Sequence, residues 1–182
     1  MPNFVAIDFE TADYGADSAC AIGIVKVRGR RVVATHAKLI RPPRRRFVFS
    51  YLHGIQWGDV AGEPDFGGVW PDLAKHFEGA DFVLAHNAQF DRGVLETCCA
   101  VHGLEAPDIP YVCTVKLARA IWNIRPTRLP NVCRYLNIDL RNHHDAVADA
   151  LACARIGITA LKEGYPLNSG ILGRSFSRRA IA

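Results

Sequence analysis

Residues 4–10 read FVAIDFE, an apolar run that ends by placing two carboxylates on one side of the chain. Phe4, Val5, Ala6 and Ile7 are continuous, apolar and partly β-branched, the pattern of a strand covered on both faces inside a sheet. Side chains alternate along a strand, so Asp8 and Glu10 share a face. Two carboxylates held there repel each other and are costly to desolvate. Two arrangements relieve the conflict. Either the strand ends in water by residue 8, or a cation sits between the two groups.

The 182 residues, 49% of them hydrophobic, are enough for one sizeable core and one domain. No long uncharged apolar stretch suggests a membrane span, and residues 1–20 carry no signal-like pattern. The expectation is a cytoplasmic protein with no membrane partner. Of the six cysteines none are in CxxC spacing, and Cys98 and Cys99 are adjacent. That favours buried reduced thiols over a zinc site or a disulfide framework. The net charge of +4 permits a polyanionic partner without demanding one.

Hydrophobic patterning orders the chain as βββαβαβααα. Residues 20–28 and 31–40 read as a hairpin turning at Gly29–Arg30. The stretch RPPRRR, 41–46, is a loop with four arginines, since its two prolines exclude a helix interior or a central strand. A short helix is expected near 58–61 and a longer one over 68–78, stopped by Gly79. Strands follow at 82–86 and 110–113. Helices are expected from the segment after residue 86 to Gly103, over 114–122, over 129–137 and over 145–164. The fold class is α/β, a mixed central sheet of about five strands, hairpin-led and flanked by helices. Residues 1–164 form the domain, and 165–182 read as a basic C-terminal tail.

Acids stand at three places that the pattern of elements does not require. Asp8 and Glu10 end the first strand, Asp91 falls in the first turn of the helix after strand 82–86, and Asp149 sits one turn into the final helix. A helix N-terminus that follows a strand lies at the sheet edge where function gathers, so Asp91 can reach Asp8 and Glu10. Each acid also has a plain alternative: Asp91 as a helix-dipole residue, Asp149 as an exposed helix acid beside Asp145 at i,i+4.

DFET at 8–11, HNAQFD at 86–91 and HDAVAD at 144–149 resemble the three motifs of the DEDD exonucleases, and the His-x4-Asp of the third resembles the DEDDh branch. The likeness spans about residues 4–162. It is similar to the exonuclease (epsilon) proofreading subunit of bacterial DNA polymerase III and to free-standing relatives, and YLHG at 51–54 resembles an HG segment of the family. The resemblance implies a ribonuclease H-like fold and a metal-dependent 3′–5′ exonuclease. Asp8, Glu10, Asp91 and Asp149 would hold two Mg²⁺ or Mn²⁺ ions, hard cations that prefer carboxylate oxygens. Four negative charges would then meet four positive ones, the second of the two arrangements above.

By the same resemblance His144, rather than its neighbour His143, is the general base. Thr11, Leu52, His53, His86 and Asn87 are expected at the substrate, with Leu52 and His53 against the terminal base. Asn87 as a helix N-cap and His53 as an ordinary loop histidine are the plain alternatives. Asp145 is read as a helix-start residue. The 41–46 arginines are a candidate phosphate-contacting patch. The expected partner is nucleic acid with a free 3′ end, DNA preferred, with RNA trimming as the alternative. A DNA polymerase or clamp partner, and roles in repair, replication or proofreading, are implied only by analogy. A non-catalytic binding module is the remote alternative, since all five residues of the motif set are present.

Overall fold

The computed structural model describes residues 1–167. β1 (Asn3–Thr11), β2 (Ala19–Arg28) and β3 (Arg31–Leu39) come first. Two single-turn helices, α1 (Ser50–His53) and α2 (Trp57–Val60), and then α3 (Phe66–Ala74) lead to β4 (Phe82–Ala85). Next come α4 (Gln89–Val101), β5 (Tyr111–Cys113), α5 (Thr114–Trp122), α6 (Leu129–Tyr135) and α7 (Ala146–Lys162). The strands form one mixed sheet in the order β3-β2-β1-β4-β5. β1 pairs antiparallel with β2 and parallel with β4. Among the described residues no helix is long and apolar enough to cross a membrane.

The continuous apolar run predicts that β1 is buried on both sides, and it is central in the sheet. Phe4 and Ala6 face one core, shared with Leu84, Val112 and the apolar residues of α5, α6 and α7. Val5, Ile7 and Phe9 face the other, shared with Phe66, Trp70, Val94 and Leu95 of α3 and α4. Asp8 and Glu10 continue the even-numbered face, so alternation aims them towards the helix α7 side.

Most expected elements are present within a few residues. α1 escaped the sequence reading because a single turn carries no periodicity. α3 starts two residues before the expected helix, although Gly67 and Gly68 look like a break. The Asp65 side chain caps it by accepting from the Gly68 N–H at 3.0 Å. Tyr165 packs against the α7 side of the sheet and Leu167 is buried there, so the chain beyond Gly164 at first follows the core. The rest of the expected tail lies outside the described residues.

α7 lies very close to the hairpin. Gly23 pairs with Asp8, and a Cβ there would run into the backbone carbonyl of Ala146. A Cβ on Gly157, further along α7, would instead crowd the side chains of Leu84 and Phe4. The two glycines let α7 lie against the sheet, and this brings its first turn over the middle of β1.

Candidate active site

β1 does not end in water at residue 8. Its pairing with β2 runs on to Thr11, and Glu10 is only 9% exposed. Pairing with β4 stops earlier, at Ala6 opposite Leu84. Past that point the Phe9 N–H donates to Asp91 Oδ1 at 3.0 Å, so the first turn of α4 takes over where β4 stops. Asp91 is 1% exposed and Asp149, from α7, 3%.

The structure brings Asp8, Glu10 and Asp149 together. A carboxylate oxygen from each lies within 4.8 Å of the others, and the charge of the buried Asp91 is felt by Asp8 and Glu10. Burial holds the Asp8 carboxyl well above the usual range, and the charges of Asp91, Asp149 and Glu10 raise it further. Burial and then Asp149 and Asp91 push Glu10 up to about 8. Burial lifts Asp91 to about 8 against the pull of the Phe9 amide. Burial raises Asp149 too, with His143 opposing. Four acids crowd where ionisation is unfavourable, and all present hard oxygen donors. That donor set suits a divalent cation of the Mg²⁺ or Mn²⁺ type.

The turn before α7 holds both histidines. His144 adopts a left-handed backbone, φ 71°. This turns its N–H onto Asp149 Oδ2 at 3.1 Å. His143 Nδ1 reaches the same oxygen at 2.8 Å, and the two imidazoles stack at 3.9 Å between centroids. Burial, and then His143, lower the His144 pKa, so its ring is neutral at pH 7. Asp145 caps α7, accepting from the Ala148 N–H at 2.9 Å, as its helix-start reading expects.

One open cleft of about 1180 Å³ contains Asp8, Glu10, Asp149, His143 and His144. Thr11, Leu52, His86 and Asn87 also line it. His53 does not. Its Nδ1 accepts from the Ile55 N–H, which leaves Nε2 to donate to the Thr11 carbonyl at 3.2 Å. His53 thus ties α1 to the end of β1 and puts Leu52 at the cleft. His86 also has both ring nitrogens engaged, Nε2 towards the Thr127 carbonyl at 2.9 Å and Nδ1 towards the Thr114 hydroxyl at 2.7 Å. Burial lowers its pKa to about 4, so the ring is neutral, donating to Thr127 and accepting from Thr114. Asn87 is not an N-cap: Ala88 holds that position, and Asn87 sits before it in a left-handed conformation, φ 63°.

Of the 41–46 arginines, Arg41, Arg44 and Arg45 engage neighbouring groups of the chain while staying partly exposed. Arg44 Nε donates to Asp13 Oδ2 at 2.7 Å and its Nη1 to Asp17 Oδ2 at 2.8 Å. Arg41 lies near Asp65, and Arg45 lies over the Trp57 ring. The Val48 N–H donates to the Ala12 carbonyl at 2.6 Å, so the Arg44 clamp and this bond hold the segment leading into α1. The arginines that do line the cleft are Arg119, Arg125 and Arg128, on α5 and the connection to α6. Patterning did not single them out, because RPTRLP reads as an ordinary polar loop.

The exonuclease family model named for RNase T matches residues 5–156. The "DNA polymerase III PolC-type" of Listeria welshimeri is 38% identical over 169 residues, 91% of this chain and 12% of that protein. The protein of the same name from Clostridium perfringens is 31% identical over 157 residues, 84% of this chain and 11% of its own length. The chain therefore spans about a tenth of these curated relatives. Among solved structures, Exonuclease X in complex with 5′ overhanging duplex DNA superposes with a TM-score of 0.72 at 25% identity, covering 93% of this chain and 99% of that one. The nuclease domain of 3′hExo, a DEDDh family member bound to rAMP, superposes at 0.78 with 18% identity, over 90% and 93% of the two chains, and speaks for the fold.

Proposed function

We propose, from the premise that this chain belongs to the RNase T-type exonuclease family and is a 3′–5′ exonuclease of its DEDDh branch, how its residues divide the work. The observation that carries the proposal is the convergence of Asp8, Glu10 and Asp149 in one cleft with His144, with Asp91 buried beside them. The substrate is single-stranded nucleic acid, DNA in the first instance, entering by its 3′ end.

Asp8, Glu10, Asp149 and Asp91 would hold two divalent cations, Mg²⁺ or Mn²⁺. Such a pair supplies charge stabilisation to the attacking and leaving oxygens of an in-line displacement. His144 acts as the general base. Its neutral imidazole takes a proton from the water that attacks the terminal phosphodiester. The new P–O bond forms as the bond to the 3′ oxygen breaks. A nucleoside 5′-monophosphate leaves, and the freed 3′ oxygen takes up a proton from solvent, so the shortened strand ends in a new 3′-hydroxyl. Thr11 and Leu52 meet the terminal nucleotide from the cleft, with Leu52 against the base. Asn87 stands at the same cleft. His53 and His86 act by holding the segments around it.

The PolC-type relatives support a proofreading or repair setting for such an enzyme, with a polymerase as its partner. The test is degradation of matched 5′-labelled single-stranded DNA and RNA with Mn²⁺, with EDTA and with Asp8→Ala. A metal-dependent ladder shortened from the 3′ end and lost in Asp8→Ala is expected, and the faster polymer assigns the substrate. A ladder that survives in Asp8→Ala would overturn the assignment of the acids.

A further inference from the structure

The cleft that holds Asp8, Glu10 and Asp149 also carries three exposed arginines, Arg119, Arg125 and Arg128. Among the described residues none of them forms an ion pair. This sets them apart from Arg41 and Arg44, whose charge is taken up by Asp65, Asp13 and Asp17. An arginine on an open loop is ordinarily just solvated. Three without carboxylate partners along one cleft, next to a cluster of acids, form a built charge pattern.

Their mounting is fixed. Arg119 Nη2 donates to Thr127 Oγ1 at 3.1 Å, which leaves the rest of its guanidinium fork unengaged. The Thr127 carbonyl accepts from His86 at 2.9 Å, so the segment carrying Arg125 and Arg128 is pinned to the end of β4. Pro126 stiffens the backbone between them, and Arg128 is the N-cap residue of α6. A polyanion that approached the acids alone would be repelled. Fixed positive charges beside them can draw it in and hold it.

We propose that Arg119, Arg125 and Arg128 form a phosphate-binding wall that grips the nucleic-acid strand leading to the scissile bond. The inference rests on the exonuclease reading of the site and deepens it. The guanidinium groups meet phosphate oxygens, whose charge and forked geometry they match. Phe90 and Leu52, both exposed at the same cleft, offer apolar surface to the bases. Such a grip reads no sequence, because every phosphate is alike.

The experiment measures binding of a fluorescein-labelled single-stranded oligonucleotide in EDTA, across a salt series, so that it requires no turnover. The triple variant Arg119→Gln, Arg125→Gln, Arg128→Gln is compared with the wild type. A second triple, Arg28→Gln, Arg30→Gln, Arg31→Gln, removes the same charge from the β2–β3 hairpin. Arg28 pairs with Asn3, at the end of β1 remote from Asp8 and Glu10. The wall variant is expected to bind on the order of 100-fold more weakly at low salt, with a log–log salt slope shallower by about 2. The hairpin variant is expected to keep the wild-type slope. In turnover, single substitutions in the wall should raise KM more than they lower kcat. An unchanged slope in the wall variant, or an equal loss in the hairpin variant, would overturn the wall. Wild-type protein that binds the oligonucleotide but never shortens it with Mn²⁺ would sink the exonuclease reading instead, and the two failures are separately visible. Melting temperatures of both variants check that they fold.

Discussion

His143 Nδ1 stands 2.8 Å from Asp149 Oδ2, while His144 reaches that same oxygen only through its backbone N–H, at 3.1 Å. The neighbouring imidazoles therefore have different tasks. One ring is tied to a carboxylate of the acid cluster. The other makes no ring hydrogen bond to that carboxylate, although a ring nitrogen of it lies within 4.8 Å of an Asp149 oxygen, and both rings line the cleft.

His144→Ala is accordingly expected to lower kcat by roughly 10²–10⁴-fold while leaving the stabilisation by Mn²⁺ intact. His143→Ala should cost less than about tenfold in kcat, because the Asp149 carboxylate keeps the His144 amide. Steady-state rates at saturating Mn²⁺ decide between them. A severe His143 variant beside a mild His144 variant would exchange the two roles.

Stability of the metal-free protein should fall as pH rises. Glu10 is ordinarily ionised above about 4.5 and is held to about 8 in the folded chain. A raised acid pKa means that the unfolded chain ionises first, so the penalty is absent below pH 4.5 and grows up to about 8. Glu10→Gln is expected to flatten this slope, as read from urea midpoints across that range. Mn²⁺ should raise the melting temperature more at pH 8 than at pH 5. At a hundredfold excess over Kd the gain is about 2.7 kcal/mol. A metal-free protein equally stable at both ends of the range would count against the crowding of the acids.

Arg44→Ala should loosen the approach to the cleft. Its guanidinium holds the Asp13 carboxyl down at about 2, against an ordinary 3.8. A lowered acid pKa stabilises the fold above pH 3.8, and that contribution disappears as pH falls through about 2. The pair is partly exposed, so the loss near neutrality should be about 1 kcal/mol, measured as a urea midpoint shift. The segment leading to Leu52 hangs on the same clamp, so KM for an oligonucleotide should rise severalfold. An unaltered KM would confine Arg44 to stability.

Gly23→Ala tests how closely α7 must approach. The added methyl would meet the backbone of Ala146 and Val147, which cannot swing away as a side chain can. About 1–3 kcal/mol of destabilisation is expected. Displacement of the α7 head should also weaken Mn²⁺ binding, readable by calorimetry. Full Mn²⁺ affinity in a destabilised variant would show that the helix start adjusts without moving Asp149.

The strands and long helices were legible because each has a strong period or a clean stop, and the hairpin turn at Gly29–Arg30 was found where the pattern put it. The gathering of Asp8, Glu10 and Asp149 follows the expectation from the motifs, and alternation along β1 alone put Asp8 and Glu10 on one face. The chain could not disclose that His86 and His53 spend both ring nitrogens on Thr127, Thr114, Thr11 and Ile55. Those partners are up to 42 residues away along the chain, and no local pattern encodes them. Arg44 and Arg128 look equally free in sequence. Only the fold supplies Asp13 and Asp17 to one and open cleft to the other.

The mounting of the acids has a consequence for how such a domain can diverge. Asp8 and Glu10 are built into the central strand, Asp91 is locked to its amide, and Asp149 rides a helix seated on Gly23. The connection from α5 to α6 lies along the cleft, is tied to the end of β4 through His86, and is anchored in the core by Ile124 and Leu129. Exchange of the exposed positions of that connection, Arg125 and Arg128 among them, would therefore alter how tightly a strand is held while the acids keep their places. Drift within β1 or at the head of α7 has no such freedom.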